Sequence, residues 1–188
     1  MKLYLLLIAS AFLAGCAQTP TQPVAKLKDG DLTVPAGYKS WPVFLAGVQR
    51  PEVKQIRDLY INPTGAAATA GSAFANGTIS VMEIYAAKVD AKGDPTKGPD
   101  GRMVKDQLLK VFVMGKGAGW GESAPVGLAN GDWIYSAFMA DGITVAPDPI
   151  ASCRACHLPL GAAKDFVHRY DEYFQLRKTG GAPAVKGY

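Results

Sequence analysis

The sequence predicts an α+β fold, a mostly antiparallel β-sheet followed by a helix near the C-terminal end. Three observations carry this expectation. Runs dense in Ile, Val, Thr and aromatic residues recur between residues 55 and 140. Connectors rich in Gly, Pro and polar residues separate them. After residue 161 the spacing of apolar residues becomes helical.

Taken in order, YKSWPVFLAGV (38–48) is an aromatic and apolar opening, and Pro51 suits the first turn of a short helix. QIRDLYIN (55–62) alternates imperfectly and reads as a strand that Asn62-Pro63 stops; TGAAATAG then reads as a short helix or turn. GTISVMEIYAA (77–87) is the clearest strand. Both its faces carry apolar residues, which places it in the middle of a sheet. DAKGDPTKGPDG (90–101) is an exposed loop, MVKDQLLKVFVM (103–114) ends in a second strand, and DWIYSAFMA (132–140) gives a third. In AAKDFVHRYDEYFQLRK the apolar or aromatic positions 163, 166, 167, 170, 173 and 174 share one helical face. His168 falls on the opposite face with Lys164, Asp171 and Gln175, where a solvated surface residue is expected.

The net charge of +4 over 188 residues is modest, and the lysines lie scattered among Asp, Gly and Pro. This excludes a dedicated nucleic-acid surface. The slight basicity suits docking to an acidic redox partner or to an anionic membrane. The opening MKLYLLLIASAFLAGC has one lysine, an apolar run and small residues, the anatomy of a secretory signal. Its last four residues, Leu13-Ala14-Gly15-Cys16, resemble a bacterial lipobox, in which Cys16 carries the lipid. The expected organisation is a lipoprotein signal over 1–15, a flexible tether over 16–37, a folded domain over 38–178 and a mobile tail over 179–188. The protein is expected on the periplasmic side, held to a membrane surface by the lipid on Cys16.

The chemistry is concentrated in ASCRACHLPLG (151–161). Cys153-Arg154-Ala155-Cys156-His157 is the attachment pattern of a covalent c-type haem, with thioether links from Cys153 and Cys156 and an axial iron nitrogen from His157. With Cys16 lipidated, no thiol of the three remains for a disulfide. A redox CxxC pair should follow a strand in a βαβ setting, and a zinc site needs four ligands where this region offers little beyond His157, His168 and the pair. One haem c is therefore the expected cofactor, and the C-terminal helix is expected to be the haem-bearing one.

No methionine follows His157, so a methionine iron ligand would come from upstream: Met82, Met103, Met114 or Met139. The strand-like runs also oppose the four-helix bundles that carry such a motif near their C-terminus. From Tyr38 to Phe174 the sequence resembles the cytochrome P-460 family, which includes the cytochromes c′-beta. YKSW, IRDLYINP, GTISVMEIY, GDWIYSAF and CRACHLPLGAAKDFVHRY carry the resemblance. It implies a β-rich, periplasmic, homodimeric haem protein with five-coordinate iron. In the hydroxylamine-oxidising members a lysine on the GTISVMEIY strand bonds covalently to the haem. Met82 stands at that position here, and a thioether has no nucleophilic nitrogen. Where those members place a carboxylate on the neighbouring strand, this chain places Phe112, which lacks a general base. The resemblance thus implies binding of a small diatomic gas such as NO. Two alternatives stay open: an electron-transfer cytochrome with Met82 as second ligand, and a hydroxylamine-oxidising or peroxidase-like enzyme. Met82 and Phe112 are equally readable as plain sheet core. Glu83, between apolar neighbours, is expected to pair with Arg57 or to lie at a sheet edge.

Overall fold

The computed structural model describes residues 26–180. The expected signal segment, the lipid-bearing Cys16 and most of the expected tail lie outside the described residues. Five strands form one antiparallel sheet in sequence order: β1 (Val43–Arg50), β2 (Gln55–Ile61), β3 (Ile79–Ala87), β4 (Lys105–Lys116) and β5 (Trp133–Met139). A one-turn helix α1 (Pro63–Ala66) follows β2. Asn62 caps it by accepting the Gly65 N–H at 3.0 Å, and Pro63 needs no partner for a missing donor. Helices α2 (Ile150–His157) and α3 (Tyr170–Lys178) close the chain. The α+β class therefore holds, with β3 in the centre of the sheet as its two apolar faces require.

The sheet is read in cross-strand rows. On its front face Arg57, Ile84, Lys110 and Met139 lie in register, followed by Leu59, Met82, Phe112 and Ala137, and then by Ile61, Ser80, Met114 and Tyr135. The alternate residues Val81, Val111, Val113, Ile134 and Phe138 point to the back face, where Leu32 and Tyr38 cover them. The front face is covered by α3 and the residues before it: Tyr173 stacks on Phe44 at 4.1 Å, and Phe74 packs among Trp133, Tyr170 and Phe174.

Four features differ from the sequence expectation. Strand β1 is hidden in the aromatic opening because two register shifts break its alternation. Its Gly47 sits at φ 64°, with its N–H donated to Asp58 Oδ1 at 2.7 Å. Residues 26–37, expected within the tether, pack onto the domain. There Leu32 is buried and the Asp29 carboxylate takes both Nε (2.6 Å) and an Nη (3.0 Å) of Arg154. The single C-terminal helix resolves into two, because Asp165, Phe166 and Arg169 adopt left-handed backbone and interrupt the periodic stretch. The helix proper starts at Tyr170, and the CxxCH residues lie on α2 instead. Glu83 lies neither at an edge nor against Arg57; it is 1 % exposed on the back face of the central strand.

Arg154, the first variable residue of CRACH, is fully buried. Besides Asp29 it faces Asn130 Oδ1 at 3.3 Å, while Asn130 donates to the Arg154 carbonyl at 3.0 Å. Removing the guanidinium strands Asp29 and Asn130 together. Arg154→Met is expected to lower unfolding stability by about 3 kcal/mol, read as a reduced urea midpoint at unchanged slope.

Candidate functional site

A cavity of about 450 Å³ lies between the front face of the sheet, α2 and the 166–169 turn. This falls inside the range of roughly 300–1,000 Å³ typical of ligand sites. Met82 and Phe112 sit directly opposite each other in its floor, with Leu59 completing the apolar row. Met114, Ser80 and Tyr135 line the next row, and Arg57 lies on the other side. Glu83 is adjacent to Met82 in sequence and therefore faces away from the cavity.

Helix α2 brings the motif to the cavity wall. The spacings i, i+3 and i+4 put Cys153, Cys156 and His157 on one side of a helix, and all three line the cavity. Burial pushes the Cys153 thiol up to about 11. A thiol held neutral in this way is the opposite of the lowered pKa that activates a redox CxxC pair. Among the described residues no group of three His, Cys, Asp or Glu side chains stands together that could hold a bare metal ion.

His157 is held by a hydrogen bond to the backbone. Its Nδ1 lies 2.7 Å from the Phe166 carbonyl, so Nδ1–H donates and Nε2 keeps its lone pair. Burial pushes its pKa down to about 4, against the raising effect of that hydrogen bond, and the nearby His168 lowers it further. The imidazole is thus neutral at ordinary pH, the form that binds a metal.

His168 does more than its expected surface role. It is exposed, as expected, yet it also reaches the cavity: its Nε2 lies 3.4 Å from Cys156 Sγ and its ring sits edge-on to His157 at 4.8 Å. The left-handed residues before it rotate it off the helical face on which its position was reckoned. Arg50, Arg57 and Arg169 line the same cavity, which makes that side basic.

The lining fits a haem. Arg57 Nε, Thr78 Oγ1, Trp133 Nε1 and Tyr135 OH are buried and hydrogen-bond to nothing among the described residues. All four residues line the cavity, so these atoms are provision for a polar group bound there. The apolar row suits a macrocycle, the arginines suit its carboxylates, the two thiols suit its vinyl groups, and the free Nε2 suits its iron. The front-face lysines are already engaged, Lys110 with Asp148 at 2.6 Å and Lys116 with Asp165 at 2.8 Å.

The structure brings Cys153, Cys156, His157, Met82 and Phe112 around one cavity. Sequence reasoning passed over Arg57, Tyr135, Lys116 and Asp165. Strand parity offered a signal for Arg57, which shares a face with Leu59. Asp165 offered none, because its neighbours are brought to it by tertiary contacts.

A search of curated proteins finds no match. The family model described as Cytochrome P460 matches residues 35–169, spanning β1 through α2 and the 166–169 turn. The chain therefore belongs to the cytochrome P460 family, a family of haem-binding cytochromes.

Proposed function

We propose that the protein is a mono-haem c-type cytochrome whose iron, held by His157, binds a small uncharged gas such as NO. In this reading Cys153 and Cys156 form the two thioether links and no lysine is joined to the haem. The observation that carries it is the row Leu59, Met82, Phe112 and Ala137, which places no ionisable side chain in the cavity floor. Haem held here would supply an iron able to bind the gas. His157 donates Nδ1–H to the Phe166 carbonyl and presents Nε2 to the metal. Met82 and Phe112 exclude water and favour apolar diatomic ligands. Arg57 and Tyr135 offer donors to the haem carboxylates. Neither a nucleophilic amine at position 82 nor a carboxylate at position 112 is present for hydroxylamine oxidation. The lipid on Cys16, a periplasmic location and a homodimer belong to the same proposal.

Mass spectrometry of haem-bearing peptides tests the attachment. The expected peptide contains Cys153 and Cys156 with haem and nothing else; a third link to any lysine contradicts the reading. Titration of the ferrous protein with NO should give a saturable spectral change, and a protein inert to NO contradicts it.

A second reading has one observation in its favour. Both Met82 and Met114 line the cavity, so a thioether is available as sixth ligand for electron transfer. It requires a sulfur-to-iron charge-transfer band that Met82→Ala or Met114→Ala abolishes.

A further inference from the structure

We infer that Lys116 and Asp165 are a positioning pair that fixes the hydrogen bond on His157 and thereby tunes the iron. The inference rests on the haem reading above. The carbonyl that accepts from His157 Nδ1 belongs to Phe166, at φ 55°, and the preceding Asp165 sits at φ 47°. Two consecutive non-glycine residues in left-handed backbone cost on the order of 1–2 kcal/mol each, so the surroundings must hold them there. Asp165 supplies that hold from its side chain. Its Oδ2 accepts the Phe74 N–H at 2.8 Å, and both of its oxygens take Lys116 Nζ at 2.8 Å. The carboxylate is buried and the lysine nearly so. The pair thus joins the end of β4 to the turn that follows the haem motif, with the Lys116 ammonium 5.6 Å from the centre of the Trp133 ring.

The backbone around the carbonyl is fixed as well. Phe166 N–H donates to the Gly161 carbonyl at 3.0 Å, and Asp165 N–H to that of Ala162 at 2.9 Å. These bonds close the turn on itself but do not orient it toward the sheet. Among the described residues the Asp165 side chain supplies the hydrogen bonds that tie it across to Phe74 and Lys116, while Phe166 and Val167 pack against the front-face core. Loosening that tie lets the Phe166 carbonyl swing away from His157. A weaker acceptor on Nδ1–H makes Nε2 less basic toward iron. Lys116 and Asp165 touch neither the iron ligand nor the cavity floor directly, so their effect travels through the carbonyl.

The test is the ferrous iron–histidine stretching band, by resonance Raman, together with the haem midpoint potential, in Lys116→Met, Asp165→Asn and the conservative Lys116→Arg. Asp165→Asn keeps an acceptor for Phe74 N–H and Lys116→Met keeps the carboxylate, so each preserves half of the anchor and the fold. In both, the band should move to lower frequency and the potential should rise, whereas Lys116→Arg should return both toward the parent values. A variant that only loosened the fold would lower its urea midpoint without moving the band. An unchanged band and potential in either Lys116→Met or Asp165→Asn overturns the proposal. If the parent protein shows no histidine-ligated iron, the haem reading fails instead. If the parent is six-coordinate and lacks the band, the potential alone decides.

Discussion

If the proposed function holds, His157→Ala is expected to leave haem tethered by Cys153 and Cys156 but to remove the protein nitrogen that holds the iron. The histidine-ligated ferrous spectrum should be lost entirely, and added imidazole should restore it by entering the space the ring vacates. That space has definite walls: the Tyr135 ring lies 5.1 Å from the His157 ring and the His168 ring 4.8 Å from it. The Phe166 carbonyl stays in place to receive an N–H from the added imidazole. Rescue is therefore predicted to be saturable. A variant whose ferrous spectrum matches the parent would show that another group, with His168 the nearest, holds the metal.

The second large effect lies on the other side of the sheet and concerns stability alone. Glu83 accepts hydrogen bonds from Tyr38 OH at 2.7 Å, Tyr85 OH at 2.7 Å and Tyr60 OH at 3.3 Å, and Lys39 Nζ approaches it at 3.0 Å. Burial by itself would raise its pKa. The bonds from Tyr38, Tyr85 and Lys39 outweigh burial and hold the carboxyl below the usual carboxylate range. Burial, and then the charge of Glu83, push the Tyr60 phenol up to about 12. Glu83→Ala removes the common acceptor of three phenols and opens a void in the central strand. Charge-assisted bonds contribute about 1.5–3 kcal/mol each, so a net loss of about 4 kcal/mol is expected in urea unfolding, with Glu83→Gln losing roughly half of that. The haem spectrum should not change, because Glu83 faces away from the cavity.

The same cluster sets a pH dependence. The folded-state pKa of Glu83 is depressed, so on acidification the unfolded chain takes up the proton first. The stabilisation is complete above the unfolded carboxylate value and is lost as pH falls through the lower folded one. Urea midpoints measured from neutral pH downward should fall more steeply in the parent than in Glu83→Gln. Parallel curves would show that the carboxylate makes no net contribution.

Legibility from sequence followed the range of the interaction. The CxxCH motif is local chemistry, and a helical spacing of three and four residues already puts its three side chains on one side. Strand β3 was legible because apolar residues on both faces leave it no place but the centre, and its parity put Met82 and Glu83 on opposite faces. Phe112 opposite Met82 followed only from a family resemblance, since register between strands has no local signature. Three of the departures have a plain physical cause. Bulged β1 hides its period. The left-handed residues at 165, 166 and 169 cut a helix that the spacing draws as continuous, and they carry His168 to the cavity. Glu83 looked costly because its partners Tyr38 and Tyr60 lie on other elements that only the fold assembles.

The coordination state of the ferrous haem, read by optical and resonance Raman spectroscopy without added ligand, tests the central claim most directly. The proposed function predicts a five-coordinate, high-spin iron with a single histidine band that His157→Ala abolishes, converting to a new species on addition of NO. A six-coordinate, low-spin ferrous spectrum in the parent protein would contradict it and make Met82 or Met114 the ligand to identify.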